Sequence, residues 1–231
     1  MNSVSEKISS TEKLISDFEA VKKSLPGNSF VQNIREKAIE SFSALGIPAR
    51  KNEEYKYSNI QKLFTESVTL SIVEAPLSKI SIAKHLIPNL DAHIIILVNG
   101  FFSKELSSLK NLEKNVTVSS LKTAFEKHSE QIEKHFSKYA DVSSDAFIAL
   151  NTAYAADGVF ISVPANAVIE KSFHIINLIS AKESTIFSPR NLFIVGKNSQ
   201  VQVVETFETI DLPVKALSNS VTEIAIDENS K

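Results

Sequence analysis

Residues 46–58 read GIPARKNEEYKYS and set two phenols among cations and carboxylates. Tyr55 and Tyr57 stand with Lys51, Glu53 and Lys56. A phenol can pack its ring while its hydroxyl reaches water or a charged neighbour. A lysine or arginine can lie over the ring face. Such chemistry anchors or binds; alone it does not catalyse. Two readings fit. In one, the chain bends at Pro48, and the two tyrosines fasten the next segment to a helical domain with Arg50, Lys51 and Lys56 over the rings. In the other, the segment is a docking surface. Extended backbone would place both tyrosines on one side, whereas a helix would separate them.

Other reactive groups are sparse. His128 and His135 are seven residues apart in a helix-like stretch, so they share a face but lie two turns apart. Helical metal pairs need i, i+4 spacing, so neither is assigned as a ligand. His174 falls in a strand-like run, which suits a core or surface role. There is no cysteine, which excludes disulfides and cysteine-ligated zinc or iron–sulfur sites within the chain. Neither a Gly-x-Ser-x-Gly elbow nor a Walker lysine loop occurs. Glu205 and Glu208 are near each other in sequence but lack a recognisable partner cluster for glycosidase chemistry. No catalytic and no metal-binding residue is assigned.

These groups need elements to hold them. In residues 3–45, Ile8, Leu14, Ile15, Phe18 and Val21, then Val31, Ile34, Ala38, Ile39, Phe42 and Leu45, form two amphipathic stripes. Leu25-Pro26-Gly27 separates them, Asn28 can cap the second, and Gly46 ends it. This predicts a helical hairpin. His93–Val98 followed by Asn99-Gly100 predicts a buried strand and a turn, and Val116–Val118 a second short strand. Residues 120–155 look helical, with Leu121, Phe125, Ile132, Phe136 and Tyr139 on one stripe. From Asp157 onward VFISVP, FHIINLIS, NLFIVG, VQVVETF and VTEIAI are short β-rich runs. A sandwich, a barrel and a β-solenoid all fit that list. The expected organisation is a helical hairpin and linker over 1–64, a mixed region over 65–155 and a β region over 156–231.

The 231 residues are 43% hydrophobic, enough for a substantial core. A net charge of −2 argues against nucleic-acid binding through bulk positive charge. The N-terminus lacks a signal-peptide run, and Ile94–Val98 is far too short to span a bilayer. A cytoplasmic, non-membrane protein is the expectation.

Several stretches together resemble one family, SufD, a scaffold of the SUF iron–sulfur cluster assembly system. The first is Gly46-Ile47-Pro48 followed by Lys51, Glu53, Tyr55, Lys56, Tyr57 and Ser58. The family usually has Trp where Tyr55 stands and Thr where Ser58 stands. The second is Leu97-Val98-Asn99-Gly100-Phe101-Phe102. A third runs from Ala146-Phe147 through Leu150-Asn151 to Asp157-Gly158-Val159. A fourth is Ser188-Pro189-Arg190-Asn191-Leu192, and a fifth Leu217-Ser218-Asn219-Ser220-Val221-Thr222-Glu223. The later motifs are shared with the sister scaffold SufB, and the Lys-Glu-Tyr-Lys-Tyr stretch points to SufD.

The resemblance implies an α+β fold: an N-terminal helical domain followed by the first coils of a right-handed parallel β-helix. It implies a longer protein of which this chain is the N-terminal part, with self-association through an exposed β-helix end as a consequence. It implies a non-catalytic scaffold acting with a SufB-like scaffold and a SufC-like ABC ATPase. Any reduced flavin or iron–sulfur cluster would belong to the assembled complex, and no cofactor residue in this chain follows. The alternatives from other classes are a carbohydrate-active β-solenoid enzyme and a generic protein-interaction module.

Overall fold

The computed structural model describes residues 9–49, 52–58, 60–64, 68–74, 77, 81–210 and 213–231. Helix α1 (Ser10–Val21) opens on a capping box: the Ser9 hydroxyl accepts the Glu12 N–H and the Glu12 carboxylate accepts the Ser9 N–H. Helix α2 (Ser29–Leu45) starts at Asn28, whose side chain accepts the Val31 N–H, and ends at Gly46 with φ 65°. Pro26 and Gly27 thus break the hairpin where the sequence predicts. A short helix α3 (Ile60–Leu63) and strand β1 (Thr69–Ser71) follow.

The middle of the chain supplies β2 (Ala92–Val98), β3 (Phe101–Phe102), β4 (Thr117–Ser120), α4 (Leu121–Lys127), α5 (Ser129–His135) and α6 (Ala146–Tyr154). Asn99 and Gly100, both at positive φ, make the tight turn that pairs β2 with β3 antiparallel. The stretch from 120 is not one helix. It divides at His128, which ends α4 and precedes α5. Leu121, Phe125, Ile132 and Phe136 still meet in one buried cluster, but Tyr139 is half exposed. The chain turns at Ser137, in the left-handed region at φ 57°, so Tyr139 leaves the helical stripe.

The C-terminal third supplies β5 (Val159–Val163), β6 (Ser172–Ile179), β7 (Thr185–Phe187), β8 (Arg190–Val195), β9 (Val203–Thr209), β10 (Ala216–Ser218) and β11 (Val221–Ile226). Three sheets result, ordered β1-β7-β10, β11-β8-β5-β4 and β3-β2-β6-β9. Every pairing among β5 to β11 is parallel. Phe160 lies beside Leu192, and Leu192 beside Glu223; Phe173 lies beside Val203. Residues 30 to 32 apart are therefore neighbours across these ladders, and side chains bond at that spacing, as Asn191 does to Thr222 and His174 to Thr206. At one corner Asn166, Asn198 and Asn229, all at positive φ, bond in series through their amides. Parallel neighbours cannot be joined by tight hairpins, which explains the lack of Asn-Gly turns in this third.

One apolar core draws on all three segments delimited from the sequence. Leu14, Phe42, Phe64, Phe101, Leu150 and Ile186 share a single buried cluster. Arg35 of α2 is fully buried and donates to the carbonyls of Ala153, Ala155 and Pro26. A cation is favourable at the α6 C-terminus. Burial without a carboxylate partner lowers its guanidinium pKa to about 9.

Candidate functional site

The charged motif after Pro48 splits into an inward and an outward half. Glu53–Tyr55 forms one 3-10 turn, capped by Asn52, and the next residues turn away. Tyr55 points inward. Its hydroxyl donates to Asp145 Oδ2 at 2.5 Å, and its ring lies 5.7 Å from that of Phe147. Burial first, then Asp145, raises the phenol pKa well above its ordinary value. Asp145 is also the cap of α6, accepting the N–H groups of Phe147 and Ile148 through Oδ1. One carboxylate therefore serves the helix start with one oxygen and the motif with the other.

Tyr57 points outward and is 93% exposed. The Lys56 ammonium sits 5.2 Å from its ring centre and 3.1 Å from the Glu53 carboxylate. Glu53, Lys56 and Tyr57 thus share one surface patch, while Tyr55 fixes that patch to α6. Lys51 and Arg50 lie outside the described residues, so stacking of these two over the rings is not part of the picture. The turn has separated the two tyrosines, as a helix would.

A second constellation lies beneath the sheet β11-β8-β5-β4, and sequence reasoning did not assign it. Arg190 and Glu223 face each other at 2.6 Å with both side chains fully buried. Arg190 also donates to Asn151 Oδ1 and Thr152 Oγ1 on α6. Glu223 accepts the backbone N–H groups of Ser137, Tyr139 and Ala140. Burial pushes its carboxyl pKa up, but Arg190 and the N–H groups of Tyr139 and Ser137 outweigh that and hold it below the ordinary range. Asn151 donates to the carbonyls of Pro189 and Asn219, and Asn219 returns a bond to Phe147 O. The node ties helix, loop and two strands together. Arg190, Asn151, Asn219 and Glu223 all lie in the motifs singled out above. The available signal was a charge inside an otherwise apolar strand run.

Asp157 is a second buried carboxylate. It accepts the N–H groups of Phe102 and Lys122, and burial raises its pKa to about 6. The adjacent Gly158 has φ 153°, and a Cβ there would fall 1.9 Å from the Arg190 carbonyl oxygen.

The remaining candidates do not form a catalytic arrangement. Glu205 accepts from Asn177 and Asn191 on one face of β9, while Glu208 meets His85 on the other. His128 stacks on Phe160, 5.2 Å between ring centres, and His135 bonds the Tyr139 hydroxyl at 2.6 Å. His174 bonds Thr206, and burial lowers its pKa. Among the described residues, no three His, Asp or Glu side chains gather as a metal set, and no helix is long and apolar enough to cross a membrane.

With this geometry in place, comparison with known proteins adds ancestry. The family model for the SufBD protein N-terminal region matches residues 8–175. An iron-sulfur cluster assembly SufBD family protein of Synechocystis is 26% identical over 215 residues, covering 88% of this chain and 46% of that protein. The iron-sulfur cluster assembly protein SufD of Bacillus subtilis is 23% identical over 205 residues, covering 87% of this chain and 46% of that protein. A SufBD family protein of Trieres chinensis is 29% identical over 129 residues, 56% of this chain and 25% of its own length. The chain spans about half the length of the first two relatives. The match extends from the N-terminal helices into β6 and contains the charged motif, Asp145 and Asp157, so the sequence motifs, the helical hairpin and the family model point one way: this chain belongs to the SufBD family.

Proposed function

We propose that this chain serves iron–sulfur cluster assembly as a SufD-like, non-catalytic scaffold in the cytoplasm, beside a SufB-like scaffold and a SufC-like ABC ATPase. The observation that carries the reading is the family match over residues 8–175. The fold in this reading is a helical domain followed by coils of a right-handed parallel β-helix. The 30- to 32-residue spacing of neighbours across parallel strands supports it, as does the series of asparagines. The right-handed sense follows the general rule for parallel crossovers. Flavin or cluster chemistry belongs to the assembled complex.

A scaffold works through surfaces. The patch of Glu53, Lys56 and Tyr57 is solvent-facing and anchored, which suits docking. The outer edges of β9, β10 and β11 have no strand partner among the described residues. Pairing along those edges suits a scaffold partner, and pairing with a second copy is the self-association it predicts.

The test is gentle affinity purification of the protein tagged at Met1 in its own host, with mass spectrometry of what comes with it. Co-purification of a SufB-like scaffold and an ABC-type ATPase is the expected result. Recovery of the tagged protein with neither partner, under conditions that retain other complexes, overturns the functional reading. Sedimentation of the 231-residue chain as a monomer at high concentration removes the self-association.

A further inference from the structure

The segment 81–90 lies against one face of the sheet β3-β2-β6-β9 and is weakly held. Ile96 and Val98 of β2 and Ile176 and Leu178 of β6 form a buried apolar cluster on that face. Ile82 packs against it from a one-turn 3-10 segment, Ile82–His85, beside Leu77, Leu106 and Ile210 from other parts of the chain. Ser81 gives that turn no side-chain cap. Ile82, His85 and Leu90 are half-buried, and the other residues of 81–90 are more exposed. Leu86 and Ile87 are 39% and 38% exposed.

Among the described residues, a single hydrogen bond joins 81–90 to the rest of the chain. His85 Nδ1 meets Glu208 Oε2 of β9 at 2.5 Å. His174 of β6, within the field of the Glu208 charge and bonded to Thr206, is the other titratable group at this contact, and Lys84 is the neighbouring cation on the segment itself. A segment fastened by one polar contact and one apolar plug opens locally far below the cost of global unfolding.

We propose that residues 81–90 are a detachable strap, clasped by His85 and Glu208, whose release lifts Ile82 off the apolar face of Ile96, Val98, Ile176 and Leu178.

The chain lacks cysteine, so one introduced thiol reports on the covered face without background. Ile176→Cys places it under the strap, and Leu150→Cys places a control in the helical core. Adding His85→Ala or Glu208→Gln raises the thiol-labelling rate at 176 by about tenfold, the loss of one charge-assisted bond. The rate at 150 stays unchanged. Equal rates at 176 with and without His85 overturn the proposal, and so does a parallel rise at 150, which marks global opening. Leu178→Cys replaces Ile176→Cys where the latter does not fold.

Discussion

Arg190 Nη2 lies 2.6 Å from Glu223 Oε2, with neither side chain exposed to solvent. Arg190 opens β8 and Glu223 is the third residue of the parallel neighbour β11, and between them they bond α6, the loop after α5 and each other. Burying two charges is costly, and the pair persists because nearly every remaining donor and acceptor is satisfied. Its consequence is asymmetry: removing one partner strands the other.

Glu223→Gln therefore destabilises the chain by about 3 kcal/mol, and Arg190→Met by a similar amount. The double variant loses markedly less than the sum, because no uncompensated charge remains. Urea unfolding of the two single variants and the double variant measures this coupling. Additive losses would show that the pair does not act as a unit.

The two tyrosines separate cleanly under substitution. Tyr55→Phe removes the bond to Asp145 and costs about 1 kcal/mol, whereas Tyr57→Ala stays within about 0.5 kcal/mol of the parent. In pull-downs, Tyr57→Ala weakens complex formation while thermal melting is unchanged. A large loss of stability on Tyr57→Ala contradicts its exposed placement.

Asp157 gives stability a pH dependence of defined sign. Its folded pKa of about 6 lies above the ordinary 3.8, so the folded state holds the proton more tightly than the unfolded chain. Its contribution to stability is fully present below about pH 4 and is lost as pH rises to about 6, on the order of 2 to 3 kcal/mol. The difference between parent and Asp157→Asn unfolding free energies across pH 4–7 isolates this group. A difference that does not change with pH refutes the assignment.

Gly158→Ala is expected to abolish soluble folded protein or cost on the order of 3 kcal/mol or more. The new Cβ would fall 1.9 Å from a backbone oxygen that itself belongs to β8. An unchanged melting temperature would contradict the close approach of Gly158 to Arg190.

Much of the fold was legible before any coordinates. The stripe from Val31 to Phe42, with Asn28 before it and Gly46 after it, predicts α2 and its caps because helix period and capping are local properties. The runs that became β5, β6, β8, β9 and β11 stand out for their β-branched content. Strands β1, β7 and β10 do not. Each is three residues long, too short to carry a period, and they form the third sheet only by pairing with one another. His128 ends a helix that the apolar stripe alone reads as continuous, because packing against Phe160 and the turn at Ser137 are not encoded in spacing.

The sequence by itself determined the helical hairpin, the family and the composition of the charged motif. Which half of that motif faces solvent was decided by tertiary structure, because Asp145 lies 90 residues away and only folding brings it to Tyr55. The same holds for Arg190 and Glu223. Arg190 opens one apolar run and Glu223 interrupts another, each unfavourable alone, and only parallel pairing of β8 with β11 lets each satisfy the other. Local propensity acts over a few residues, whereas desolvation is set by whichever groups the completed fold makes neighbours.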